Sequence, residues 1–98
     1  MNKLNQLLGL SMRAGKLISG EELVLRAVRS RSAKLVIMSE DAAKNVEKKV
    51  TDKCHTYEIP LLRFGTRTDI GNAIGKGQRV VVALTDQGFA QSIKKLFD

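Results

Sequence analysis

Ninety-eight residues, 43% hydrophobic and 28% charged, support one domain spanning 1–98 with a single modest core, and argue against disorder. Seventeen Lys and Arg against ten Asp and Glu give a formal charge of +7, and no apolar stretch approaches the roughly 18 residues of a membrane span. The lone cysteine, Cys54, excludes an internal disulfide and a cysteine-rich zinc site, and fits a reducing cytosol.

The N-terminal string MNKLNQLLGLSMRAGK is too broken in apolar content for a signal peptide. It places Leu4, Leu7 and Leu8 on one helical face that ends at Gly15. Leu17-Ile18 is a short extended run. Ser19-Gly20-Glu21-Glu22 follows with the spacing of a capping box, in which Ser19 accepts from the Glu22 amide and Glu22 reaches back to the amide of Ser19. The helix it predicts puts Val24, Ala27 and Val28 on one face and Glu22, Arg26 and Arg29 on another.

Leu35 to Met38 is a continuous apolar run, suited to a strand covered on both faces. Ser39-Glu40-Asp41 predicts the start of a third helix, with Ala43, Val46, Val50 and Cys54 sharing a side. Ile59 to Phe64 reads as a strand entered through Pro60, which cannot donate a ladder bond and so favours a strand start. Thr66 to Ile74 reads as a short helix stopped by Gly75. Val80 to Leu84 is the most hydrophobic strand, and Asp86 caps a last helix that packs Phe89, Ile93, Leu96 and Phe97. This alternation of helices with doubly buried strands predicts an α/β fold, a three-layer α/β/α sandwich with a mixed, partly parallel, four-stranded sheet.

Residues 1–34 hold seven basic and two acidic groups, whereas residues 80–98 hold two of each. A one-sided basic field of this kind attracts polyanions, nucleic acid first among them. Catalytic readings fare worse. Cys54-His55 lacks a second Cys or His to complete a metal shell or a triad, and Cys54 falls on an apolar helical face. Gly71 to Gly77 lacks the spacing of a phosphate loop, and Gly9-Leu10-Ser11 lacks the second glycine of a nucleophile elbow because Arg13 stands there. Glu40-Asp41 follows a strand, where ligands gather in parallel sheets, but a helix cap is the favoured explanation of the pair. No active site, metal site or cofactor site is expected, and no small-molecule substrate.

Two binding surfaces remain. Arg26 and Arg29 are solvent-facing by periodicity, close to a helix N-terminus that itself favours anions; an intrahelical Glu22–Arg26 pair is compatible with that use. Lys76-Gly77-Gln78-Arg79 forms a polar turn with more charge than a connector needs. With three Phe and one Tyr, stacking of bases on an aromatic platform is disfavoured, and recognition of folded RNA by shape, phosphates and selected base edges is favoured.

Three strings carry a resemblance over Leu4 to Phe97: Ser19-Gly20-Glu21-Glu22 through Arg26-Ala27-Val28; Ala33 through Asp41; and Cys54 with Ile59-Pro60 and Ile70-Gly71-Asn72-Ala73-Ile74-Gly75 at matching spacing. The chain resembles the kink-turn-binding ribosomal protein superfamily, which includes the large-subunit proteins L-seven-Ae and L-thirty-e. It looks most like the small bacterial YlxQ-type members. The resemblance implies a sandwich that grips a sharply bent RNA containing tandem sheared G·A pairs. Carried over, Gly20 is the glycine of close approach, and Glu22 stands where an Asn or Lys usually reads those pairs. Leu23 holds a position usually occupied by Glu or Gln, Arg26 replaces a Lys, and Lys76 to Arg79 is the loop that covers a flipped-out nucleotide. Leu23 cannot hydrogen-bond, and a carboxylate at position 22 repels phosphate.

The expectation is therefore a cytoplasmic, monomeric, non-enzymatic, ribosome-associated RNA-binding protein. Its surface is Gly20, Glu21, Glu22, Arg26, Arg29, Lys76, Gly77, Gln78 and Arg79. The alternative is a protein-interaction adaptor that kept the fold and lost specific RNA readout.

Overall fold

In this computed structural model, which describes residues 3–97, the hydrophobic runs of the sequence become a sheet with helices on both faces. The elements in chain order are α1 (Lys3–Arg13), β1 (Leu17–Ser19), α2 (Glu21–Arg29), β2 (Leu35–Met38), α3 (Lys44–Thr56), β3 (Leu61–Arg63), α4 (Arg67–Ile74), β4 (Val81–Leu84) and α5 (Gln87–Lys95). The four strands lie in the order β1-β4-β2-β3. β2 and β3 run parallel, while β4 pairs antiparallel with both β1 and β2.

All four residues of β2 and of β4 are buried, as apolar runs without alternation require. Alternate side chains enter opposite cores. Leu35, Ile37, Val82 and Leu84 join Leu4, Leu8, Ile70, Ile74, Ala90 and Ile93 from α1, α4 and α5. On the other face, Val36, Met38, Val81 and Ala83 join Val24, Val28, Val50 and Cys54 from α2 and α3. The three layers expected from the sequence are present.

Several local signals act as their chemistry requires. Asp86 accepts a hydrogen bond from the Phe89 amide at 2.9 Å and caps α5. Gly75 ends α4 in the left-handed conformation, at φ 73°. Others do not. The Ser19 to Glu22 spacing forms no capping box: Ser19 is the last residue of β1, paired with Val82, and Gly20 is the N-cap of α2 without a side-chain cap. The reciprocal box forms at Thr66 and Asp69 of α4 instead. The third helix starts not at Ser39 but after Ala43. The Glu40 amide donates to the Gly65 carbonyl at 2.7 Å, and Asp41 is held by Arg67, so this segment serves as a tie between loops. Leu96 and Phe97, expected in the core, lie beyond α5 with relative exposures of 43% and 42%.

Gly71 fixes how α4 meets the connector to β4. A Cβ added there would lie 2.8 Å from the Gly77 carbonyl carbon and 3.1 Å from the Gln78 Cα, both backbone atoms. Gly71→Ala is therefore expected to cost about 2 kcal/mol through overpacking, read as a lowered urea midpoint with unchanged m-value.

Cys54 is buried, and desolvation pushes its thiol from 9.0 up to about 11. At pH 8 the folded protein should react with iodoacetamide at least about tenfold more slowly than the urea-unfolded chain, as followed by intact mass. The unfolded thiol ionises first as pH rises, so this group leaves stability unchanged below about pH 9 and lowers it between there and about pH 11. Equal alkylation rates in the two states would contradict the buried placement.

Candidate nucleic-acid interface

The antiparallel placement of β4 between β1 and β2 sets the chain leaving β1, the chain leaving β2 and the chain arriving at β4 at one end of the sheet. The Gly20 amide donates to the Val81 carbonyl at 3.0 Å, and the Ser39 amide to the Val80 carbonyl at 2.7 Å. That first bond draws the backbone through Gly20 at φ 100°, a conformation that a side chain would oppose. α2 then begins with bare first-turn amides, and Glu21 and Glu22 complement its positive end.

A side-chain brace joins the turn that precedes α2 to the Lys76–Arg79 loop. Arg79 Nε donates to Ser19 Oγ at 3.2 Å across sixty positions of sequence, and its Nη1 donates to the Gln78 carbonyl at 2.9 Å. Gln78 Nε2 lies 3.4 Å from Thr68 Oγ1, a long donor contact, while the Arg79 amide donates to the Arg67 carbonyl at 3.0 Å. Gly20, Lys76, Gly77, Gln78 and Arg79 are thus gathered on one rim.

Three carboxylates beside this rim have cationic partners. Glu21 pairs with Lys49 at 2.9 Å, Glu22 with Arg26 at 3.9 Å, and Asp41 with Arg67 at 3.4 Å. The Ser39 hydroxyl foremost, then the Arg67 N–H and guanidinium, hold the Asp41 carboxyl below the ordinary carboxylate value. Beside this tie, Arg63 bridges Glu47 at 2.8 Å and donates to the Ser39 carbonyl at 3.1 Å.

Arg26 and Arg29 lie differently from the expectation. Both are exposed, but they occupy the last turn of α2, where cations complement the negative end of the helix, rather than its anion-favouring start. Arg29 is about 13 Å along the helix axis from Gly20. The Glu22–Arg26 pair is open to solvent, with side chains 86% and 66% exposed, and so holds Arg26 only weakly. Leu23 stands 50% exposed in the first turn.

Ser19, Lys49 and Arg67 are the braces that periodicity alone missed. Ser19 carried a signal, but its spacing to Glu22 pointed to a cap. Lys49 and Arg67 carried none, since their partners are distant in sequence. Among the described residues no group of three or more His, Cys, Asp or Glu gathers to hold a metal, and no helix is long and apolar enough to cross a membrane.

Comparison with known proteins gives this surface a setting. Residues 2–94 match the family described as Ribosomal protein L7Ae/L30e/S12e/Gadd45. A protein named RNA-binding protein YlxQ from Bacillus subtilis is 52% identical over 92 residues, covering 94% of this chain and 92% of its own length. Its namesake from Enterococcus faecium is 44% identical over 96 residues, covering 98% and 92%. The rice protein named large ribosomal subunit protein eL30 is 32% identical over 95 residues, covering 95% and 86%. A solved structure of a protein of unknown function from Bacillus halodurans C superposes with a TM-score of 0.96 at 44% identity, covering 100% of this chain and 99% of that one. The Giardia lamblia 15.5kD RNA binding protein shares the fold, with a TM-score of 0.81 at 20% identity over 96% of this chain and 84% of that one. Matched over nearly its whole length by this family and by relatives well above 30% identity, the chain belongs to the L7Ae/L30e/S12e/Gadd45 family of ribosomal proteins.

Proposed function

We propose that this chain is a non-enzymatic RNA-binding protein that grips structured, kink-turn-like RNA with the Gly20 rim, acting as a one-domain monomer in the bacterial cytoplasm in association with the ribosome. The observation that carries the reading is the Arg79–Ser19 brace, which holds the Gly20 turn and the Lys76–Arg79 loop as one surface. Preorganisation of this kind reduces the ordering cost of binding. The RNA-binding names of the bacterial relatives support the ligand class, and the excess of positive charge supports it independently.

The division of labour follows from the side chains. Gly20 lets the backbone approach, and the first-turn amides of α2, which no side chain caps, offer donors to an acceptor. Lys76 supplies charge beside Gly77 and Gln78, whose amide is a base-edge donor and acceptor. Glu22 accepts from exocyclic base amines, and Arg26 and Arg29 donate to phosphates or guanine edges. Glu21, tied to Lys49, positions the turn and contributes little direct contact.

Leu23 favours a second reading, a protein-interaction adaptor, because an exposed apolar side chain stands where a polar reader would be expected. The two readings separate in a fluorescence-anisotropy titration of labelled kink-turn RNA at two salt concentrations. The control RNA has its sheared G·A pairs replaced by Watson–Crick pairs. The expected result is tighter binding to the kink-turn, with a log–log salt slope of roughly −3 to −5 for ~4–6 phosphates neutralised. Arg26→Ala combined with Arg29→Ala should weaken binding about tenfold or more without lowering Tm. An unchanged isotherm for that double variant counts against the surface. Binding to neither RNA, with a nuclease-resistant partner in pull-downs, supports the adaptor.

A further inference from the structure

The opposite end of the molecule carries a basic cleft that the sites above do not use. Lys34 immediately precedes β2 and its amide donates to the Leu84 carbonyl, the last residue of β4. Position 34 is thus at the far end of the sheet from Gly20, whose amide bonds the first residue of β4. There a cleft of about 300 Å3 is lined by Arg31, Lys34, Tyr57, Glu58, Pro60 and Lys94, among others.

Three features make this cleft more than a solvated surface. First, its cations are not neutralised by ion pairs. The ion pairs among the described residues engage Arg26, Lys49, Arg63 and Arg67, and none engages Arg31, Lys34 or Lys94. Against those three charges the lining offers one carboxylate, Glu58. Second, the guanidinium of Arg31 is aimed. It lies 5.6 Å from the centroid of the Tyr57 ring and donates from Nη1 to the Tyr57 carbonyl at 3.0 Å. Lys34 Nζ donates to the Arg31 carbonyl at 3.3 Å. Third, the walls are built from strained backbone. Arg31 and Glu58 adopt φ of 63° and 57°, the positive-φ non-glycine residues of the chain's described part. Such conformations persist where surrounding structure enforces them, and they cluster at functional sites.

We infer that Arg31, Lys34 and Lys94 form a second phosphate-binding surface, which takes the sugar–phosphate backbone of an RNA stem extending beyond the segment gripped at the Gly20 rim. This rests on the RNA reading above and adds a footprint to it. Diester phosphates fit the chemistry: the cleft is shallow, cationic and polar, with an arginine fork held at its edge and no deep apolar floor to select a base. The contact is independent of sequence, and it supplies affinity and register to whatever the Gly20 rim reads.

The test compares two labelled kink-turn RNAs, one with minimal stems and one whose stems are a full helical turn longer. The variant combines Arg31→Gly, Lys34→Gln and Lys94→Gln. Glycine accepts the positive φ at position 31, so this substitution removes the guanidinium while relieving backbone strain. With the long RNA, the salt slope of the variant should be smaller in magnitude by about 2 to 3 than that of the unmutated protein, at 0.7 to 0.9 per lost phosphate contact. With the minimal RNA, the two proteins should agree. Identical slopes on the long RNA overturn the second surface while leaving the first reading intact. An equal loss on both RNAs also overturns it, since the effect would not depend on the extended stem. Failure of the unmutated protein to bind either RNA removes both readings together. Tm, measured on each protein, separates loss of contact from loss of fold.

Discussion

The register of β4 governs where every other element sits. Ser19 and Ile37 face Val82, while Leu17 and Leu35 face Leu84, so one strand holds both of its neighbours in antiparallel alignment. A slip of one residue would exchange Val82 and Leu84 with Val81 and Ala83, turning each set into the core built for the other. Shape and volume on the two faces resist that exchange, because interiors are packed closely enough for small volume changes to be felt. The same register delivers the Gly20 amide to Val81 and the Ser39 amide to Val80. The rim is therefore a consequence of the sheet and not of the loops alone.

Folding redistributes the charge seen in the sequence. The excess of the first third is spread over α1, α2 and the segments that follow them, and the Gly20 rim receives a mixture of signs. There Glu21, Glu22 and Asp41 are matched by Lys49, Arg26 and Arg67. These ion pairs are suited to positioning, since each orients a donor or an acceptor, while Lys76 and Arg79 stand outside the four ion pairs of the described residues. Gly71 contributes in the same way by letting α4 press against the backbone of Gly77 and Gln78. The conformation of the loop is thereby set from behind, leaving its exposed side free for a ligand.

The elements were legible where the signal was local or continuous. Runs such as Leu35–Met38 and Val81–Leu84 carry burial in their composition, and Asp86 and Gly75 carry caps in their chemistry. The signal misled where pairing across the chain outbid a local preference. Ser19 had the spacing of a cap, but strand pairing with Val82 claimed its backbone and Arg79 claimed its hydroxyl. Ser39 to Asp41 looked like a helix start, but bonds to Gly65 and Arg67 held the segment in another conformation. The same limit applies to the rim. Its members could be named from composition and family likeness, whereas their contact depends on a bond spanning sixty positions. Arg31 and Glu58 gave no warning at all, because neither is a residue type that favours positive φ.

The two ends of the molecule are separated by a sheet whose central strands hold four residues each, roughly 13 Å at the usual rise. That distance exceeds the screening length of about 8 Å at physiological ionic strength. Charges at one end therefore contribute little to events at the other at that ionic strength. Each end has to act through its own contacts. On the proposed reading the braced Gly20 rim, with amides that no side chain caps and with three ion pairs beside Lys76 and Arg79, suits discrimination by shape and base edge. The Arg31 end, with unpaired cations and one carboxylate, suits attraction without discrimination. A rigid sheet fixes the distance between them, so on the proposed reading an RNA would satisfy both only if its bend carried a stem along that line. Discrimination by geometry then follows even from contacts that are individually blind to sequence.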